Sequence, residues 1–141
     1  MEKVINQYTY EVLTGEDKEL FEDAVDCLND AFMGIQVGEA FIREPMAGMS
    51  SIKKEDFRGF VQMYLESIVS QGFVFIAKDK ETGRVVAALA SEDFDPNGEV
   101  PVFEGGLEHM NNVVDRLNAL DEKFFEVIEN KTGKSIEAGE Y

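Results

Sequence analysis

The chain has 141 residues, 44% of them hydrophobic and 30% charged, which is the balance of a folded domain with a core rather than of a disordered or membrane-spanning chain. Its 29 Asp and Glu outnumber 13 Lys and Arg, for a formal charge of −16. Such a surface repels phosphate backbones and argues against general nucleic-acid binding, because the basic clusters Lys53-Lys54 and Lys131/Lys134 are small. No apolar run approaches the roughly 18 residues that cross a bilayer, and Met1 to Gln7 lacks a signal-peptide pattern. With a single cysteine, Cys27, no internal disulfide forms, and the expected location is the cytoplasm.

Gln7 to Leu13 alternates Tyr8, Tyr10 and Val12 with Thr9, Glu11 and Leu13, a pattern of aromatic and β-branched residues that predicts a strand. Thr14-Gly15-Glu16-Asp17 supplies a cap and an acidic first turn for a helix. That helix buries Leu20, Phe21, Ala24, Val25, Leu28, Ala31 and Phe32 along one face, with Cys27 at its edge. From Gly34 to Met49 the periodicity lapses into a Gly- and Met-containing connection, expected to be irregular and of the kind that often carries binding residues. A second helix is predicted from about Lys54 to Val69 and stops at Gln71-Gly72.

Two apolar strands follow, Phe73–Ala77 and Arg84–Ala90, joined by the polar turn Lys78 to Gly83. Both are apolar at nearly every position, so cover on both faces of this hairpin is expected. Asp93 to Pro101 is a turn-rich acidic loop. Helical spacing returns from about Phe103 to Asn130, with room for a break near Asp121. The fold class is α+β, an antiparallel sheet with helices packed on it, and one domain is expected over residues 1–141.

The acidic loop also matches a calcium-binding pattern, D-x-D-x-N-G followed by a distant Glu. Asp93, Asp95, Asn97, the Glu99 carbonyl and Glu104 would supply oxygens to the ion, and Gly98 the sharp turn. A strand leads into it where a helix is expected, and Pro96 and Pro101 stiffen it. His109 has no second histidine or cysteine nearby in sequence, and Cys27 lacks the basic setting that activates a thiol.

The order strand, helix, loop, helix, apolar hairpin resembles the opening of the GNAT family of N-acetyltransferases. The stretches Tyr64-Leu65-Glu66-Ser67-Ile68, Gly72 to Asp79 and Thr82 to Ala87 are similar to the second and third strand region of the arylalkylamine branch. Arg43-Glu44-Pro45-Met46 stands where that branch has an Asp-Glu-Pro-Leu-like segment. The resemblance implies acetyl transfer from acetyl-coenzyme A to a primary amine, with Glu44 as the general base that deprotonates the ammonium. The family's Gln/Arg-x-x-Gly-x-Gly/Ala loop, whose backbone N–H groups hold the coenzyme pyrophosphate, has no counterpart in this sequence. The expectation is therefore the N-terminal half of such an enzyme, ending before the fourth strand and binding acetyl-coenzyme A poorly alone. A strand at 84–90 without its neighbour would be a free sheet edge, so a homodimer or a complementary fragment is the expected partner. Two other readings stand beside this one: a non-catalytic binding or oligomerisation module, and the calcium-binding domain.

Overall fold

The computed structural model describes residues 7–45, 51–93, 95 and 98–136. It is an α+β structure with antiparallel sheets and, among the described residues, three α-helices. The chain forms two compact units, Met1–Glu92 and Asp93–Tyr141. No helix among the described residues is long and apolar enough to cross a membrane.

In the first unit β1 (Tyr8–Val12) leads into α1 (Lys18–Met33). Asp17 caps α1 by accepting a hydrogen bond from the Leu20 N–H at 3.0 Å, which satisfies one of the helix's unpaired amides. At its other end Gly34 takes φ 123° and ψ 142°, a backbone region that side-chain-bearing residues avoid. This turn delivers a short hairpin, β2 (Ile35–Val37) and β3 (Ala40–Ile42), in which Ile35 opposes Ile42. The connection expected to be irregular is thus partly ordered. The period-two signal spans only three residues a side, too few to register as a strand in the sequence.

Helix α2 (Lys54–Ile68) ends in a 3₁₀ turn, Val69–Gln71, closed by Gly72 in the left-handed conformation, φ 79°. Then β4 (Val74–Asp79) and β5 (Val85–Ala90) form the second hairpin. The three-stranded sheet runs in the order β1-β4-β5, antiparallel throughout. Tyr10 pairs with Ala77 and Val12 with Phe75, while Phe75 pairs with Leu89. A bulge at Ala77/Lys78 shifts the β4–β5 register, and Lys78 then opposes Val85.

Because paired residues point to the same side, the register sorts the sheet into two faces. Val74 and Ile76 turn inward and are buried, as is Leu13 just beyond β1. With Phe21, Ala24 and Val25 of α1 and Phe57, Val61, Leu65 and Ile68 of α2 they make the core of this unit. Helix α1 packs against both α2 and β5. Charged pairs stitch the two helices on their outer side. Arg58 reaches Glu22 at 2.6 Å and Asp26 at 2.7 Å, and Lys54 reaches Asp30 at 2.5 Å.

The opposite face carries Tyr10, Val12, Phe73, Phe75 and Leu89, all exposed. Cover on both faces of the β4–β5 hairpin, expected from its apolar composition, is not what these residues show. Composition registers how apolar a strand is but not whether a second layer lies against it.

The second unit begins with an extended segment in which Phe103 is buried. The Asn111 side chain bonds both the N–H and the C=O of Phe103 at 2.8 Å, as a neighbouring strand would. A 3₁₀ turn, Gly105–Met110, precedes α3 (Asn111–Thr132). The helix expected from Phe103 therefore starts eight residues later, and it runs unbroken through Asp121. Gly133 closes it in the left-handed conformation, φ 68°.

Candidate functional site

Glu44 follows β3 directly, and its backbone N–H donates to the Phe32 carbonyl at 3.1 Å. This bond fixes the Arg43-Glu44-Pro45 segment against the last turn of α1, with Glu44 half-buried. Met46 lies outside the described residues. The position depends on Gly34, since the hairpin that carries the chain back to Phe32 starts there.

An aromatic row begins at the same place. The Phe32 ring meets Phe57 at 5.6 Å, Phe57 meets Phe60 at 5.6 Å, and Phe60 stacks on Tyr64 at 6.1 Å and 17°. Phe57, Phe60 and Tyr64 sit at i, i+3 and i+7 on α2, so helical geometry alone aligns them. The Tyr64 hydroxyl donates to Glu92 Oε1 at 3.3 Å, just beyond β5. Burial first, and then the negative charge of Glu92, pushes the Tyr64 phenol above its usual pKa, so it stays protonated near neutral pH. The row is a stepped series of rings, tilted by 40° and 51° at Phe57, which is buried, while Phe32, Phe60 and Tyr64 are partly open. The Glu44 backbone is bonded at the Phe32 end and Glu92 at the Tyr64 end. Such a surface takes an aromatic or apolar ligand, and π faces also attract ammonium groups.

A separate cleft of about 310 Å³ lies at the other end of α1, lined by Gly15, Lys18, Phe21, Glu22, Glu66 and Val69. Ten residues of helix separate Glu22 from Phe32, roughly 15 Å of rise, so the cleft does not include Glu44. Its carboxylates already have partners, Glu22 in Arg58 and Glu66 in the Gln62 amide.

Asp23 does structural work that composition does not reveal. Its side chain is largely buried, and its Oδ2 accepts from the Val85 N–H at 2.6 Å while Oδ1 meets Arg84 at 2.5 Å. One carboxylate thereby ties α1 to the first residue of β5. Asp79 plays a similar role in the β4–β5 turn, accepting from the Glu81 N–H at 2.9 Å and the Thr82 N–H at 2.8 Å. Those bonds, led by the Thr82 amide, hold its carboxyl below the ordinary carboxylate range. Asn29 lies in the core at 3% exposure, and its Oδ1 has no hydrogen-bond partner.

Of the calcium-loop residues, Asp93 and Asp95 are described and Asn97 lies outside the described residues. The Gly98 N–H donates to the Asp95 carbonyl at 3.0 Å, a local turn that β5 rather than a helix leads into. Glu99 and Glu104 are exposed. Among the described residues no three His, Cys, Asp or Glu side chains gather as metal ligands would. His109 is exposed on the 3₁₀ turn of the second unit. Burial, followed by the charges of Asp23 and Asp30, pushes the Cys27 thiol up, away from the thiolate a nucleophile needs.

The sequence reading named Glu44 but missed the row that begins beside it. Phe57, Phe60 and Tyr64 registered there only as an apolar stripe, and the contact with Phe32 is tertiary. No protein-family model, curated protein or solved structure matches this chain.

Proposed function

We propose that this chain is the amine-binding arm of a GNAT-type N-acetyltransferase, which in complete form transfers acetyl from acetyl-coenzyme A to a primary amine bearing an aromatic or apolar tail. The observation that carries this reading is the combination of topology and Glu44. A strand, two helices and a hairpin build a β1-β4-β5 antiparallel sheet, and the Arg43-Glu44-Pro45 segment is bonded to the end of α1 beside the aromatic row. In this reading the ring of the amine lies at the Phe32 end of the row, and the Glu44 carboxylate pairs with the ammonium. Glu44, directly or through a water, then takes the proton so that the neutral nitrogen attacks the thioester carbonyl. The thiolate of coenzyme A leaves as the tetrahedral intermediate collapses.

The acetyl donor is a cosubstrate. With no pyrophosphate loop of the family type in its sequence, the chain alone binds it weakly and turns over slowly or not at all. The acidic surface favours cationic substrates and disfavours nucleic acid, and the reading places the protein in the cytoplasm. Incubation with acetyl-coenzyme A and 2-phenylethylamine, followed by mass spectrometry, tests the activity. When a segment that binds the coenzyme is supplied in trans, N-acetyl product should appear and be lost in Glu44→Gln. Product formed equally well by Glu44→Gln would refute the role of Glu44. The exposed apolar sheet face also favours a second reading, a non-catalytic oligomerisation module. That module would show neither amine binding nor acetyl transfer.

A further inference from the structure

Lys54 is the first residue of α2, where its own helix disfavours a cation because the unpaired N–H groups there already carry positive charge. Its ammonium serves a different helix. It meets Asp30 Oδ1 at 2.5 Å and donates to the Gly34 carbonyl at 3.4 Å, both at the C-terminal end of α1. Glu22 and Asp26 bond Arg58 while Asp30 bonds Lys54, so the two helices run antiparallel and the start of α2 lies beside the end of α1. The last turn of α1 has no basic residue of its own, and its free carbonyls favour a cation. Lys54 supplies one from the neighbouring helix.

Gly34 is also the root of the hairpin that leads to Glu44. Its N–H donates to the Asp30 carbonyl at 2.9 Å, so Asp30 and Lys54 together hold this residue at both its amide and its carbonyl. The Glu44 N–H closes the same root on the Phe32 carbonyl at 3.1 Å. Within the first unit neither β2 nor β3 packs broadly on α1, α2 or the three-stranded sheet. A two-stranded hairpin without such support is marginal, so its root decides where it stands. We propose that Lys54 is a positioning residue for Glu44. By pinning the Gly34 carbonyl beside Asp30 it sets the direction in which the hairpin leaves α1, and with it the place to which β3 returns Glu44.

The sign of the effect on an amine separates positioning from charge. Replacing Lys54 by methionine removes a positive charge, and through space that change alone favours a cationic ligand at Glu44. Loss of positioning acts the other way, because a carboxylate spread over many positions must be ordered before it can hold an ammonium. Lys53 is the matched control: it carries the same charge one residue away, is exposed, and makes no side-chain cap bond. The part of the inference that concerns the amine rests on the reading of Glu44 as its base. The part that concerns the hairpin root does not.

Backbone amide hydrogen exchange, followed by NMR on the full chain and on Lys54→Met, Lys54→Arg and Lys53→Met, tests the root directly. Protection of the Gly34 and Glu44 amides should fall about fivefold in Lys54→Met and be kept in Lys54→Arg and Lys53→Met, with Val25 and Leu65 unchanged in all three. Unchanged protection of Glu44 in Lys54→Met, or an equal loss throughout α1 and α2, overturns the proposal. In titrations with 2-phenylethylamine, Lys54→Met should bind about threefold more weakly, Lys54→Arg close to wild type, and Lys53→Met no more weakly than wild type. Tighter binding by Lys54→Met would show that Lys54 contributes charge rather than position, and overturns it too. Amine binding indifferent to Glu44→Gln, with Glu44 protection still lost in Lys54→Met, refutes the role of Glu44 and upholds the positioning of its segment.

Discussion

Replacing Gly34 by alanine tests the local geometry that places the candidate site. Gly34 sits at φ 123° and ψ 142°, and a Cβ built there would lie 2.1 Å from Phe41 Cζ and 2.6 Å from Cε1. Two costs are in play, and the structure decides between them. The clash is with the far end of a side chain that is 59% exposed, so the ring can swing into solvent for a fraction of a kcal/mol to about 1 kcal/mol. The backbone has no such escape, because a residue with a Cβ in this region is strained by about 1–3 kcal/mol. The expected loss for Gly34→Ala is therefore about 2 kcal/mol, most of it backbone strain, read from urea denaturation followed by circular dichroism at unchanged m-value. Adding Phe41→Ala to Gly34→Ala should recover under about 1 kcal/mol. A neutral Gly34→Ala would refute the backbone geometry. Full recovery in the double variant would show that the ring, not the backbone, sets the cost.

Three other outcomes follow from single side chains. Asp23→Ala strands the Val85 N–H at the start of β5 and should cost about 1–3 kcal/mol by the same denaturation assay, with Asp23→Asn costing less because its amide oxygen can still accept. Asn29→Leu keeps the branched skeleton of the side chain but is bulkier, so relief of the unpartnered oxygen, about 1–3 kcal/mol, offsets an overpacking cost of similar size and the net change should stay within about 1 kcal/mol; a loss well beyond about 3 kcal/mol would mean that the oxygen is bonded in solution. Asp79 has a folded-state pKa below its ordinary 3.8, so its stabilising contribution is present above that value and is lost as pH falls through the folded pKa. Melting temperatures of wild type and Asp79→Asn should accordingly differ at pH 7 and converge in acid below pH 3.8, and a constant gap would contradict the turn bonds as the cause.

Much of the fold was legible because it rests on local patterns. Asp17 caps α1 as its residue type demands, Gly72 closes the turn after α2, and the polar run Lys78 to Gly83 turns the second hairpin. The features that escaped prediction depend on which surfaces meet. Val74 and Phe75 are both apolar, yet one is buried and the other open, because Val74 shares the buried side of the sheet with the core residues of α1 and α2 and Phe75 points the other way. The β2–β3 hairpin hides in three-residue strands. The start of α3 is displaced to Asn111 because Gly105–Met110 winds as a 3₁₀ turn and the Asn111 side chain binds back to Phe103. At the candidate site, Glu44 was visible only through its proline neighbour and a family likeness. The aromatic row and the Asp23 clamp are contacts between elements far apart in sequence, which no local spacing announces.

The central claim is that this chain carries the amine side of an acetyl-transfer site at Glu44 and the adjoining aromatic row. Titrating ¹⁵N-labelled protein with 2-phenylethylamine, followed by amide NMR shifts, tests it most directly because it needs no coenzyme. The account predicts saturable shifts confined to Phe32, Glu44, Phe57, Phe60 and Tyr64, with affinity at least tenfold weaker in Glu44→Gln and no competition from benzyl alcohol, which has the ring but no ammonium. Shifts scattered over the acidic surface, or an affinity untouched by Glu44→Gln, would contradict it.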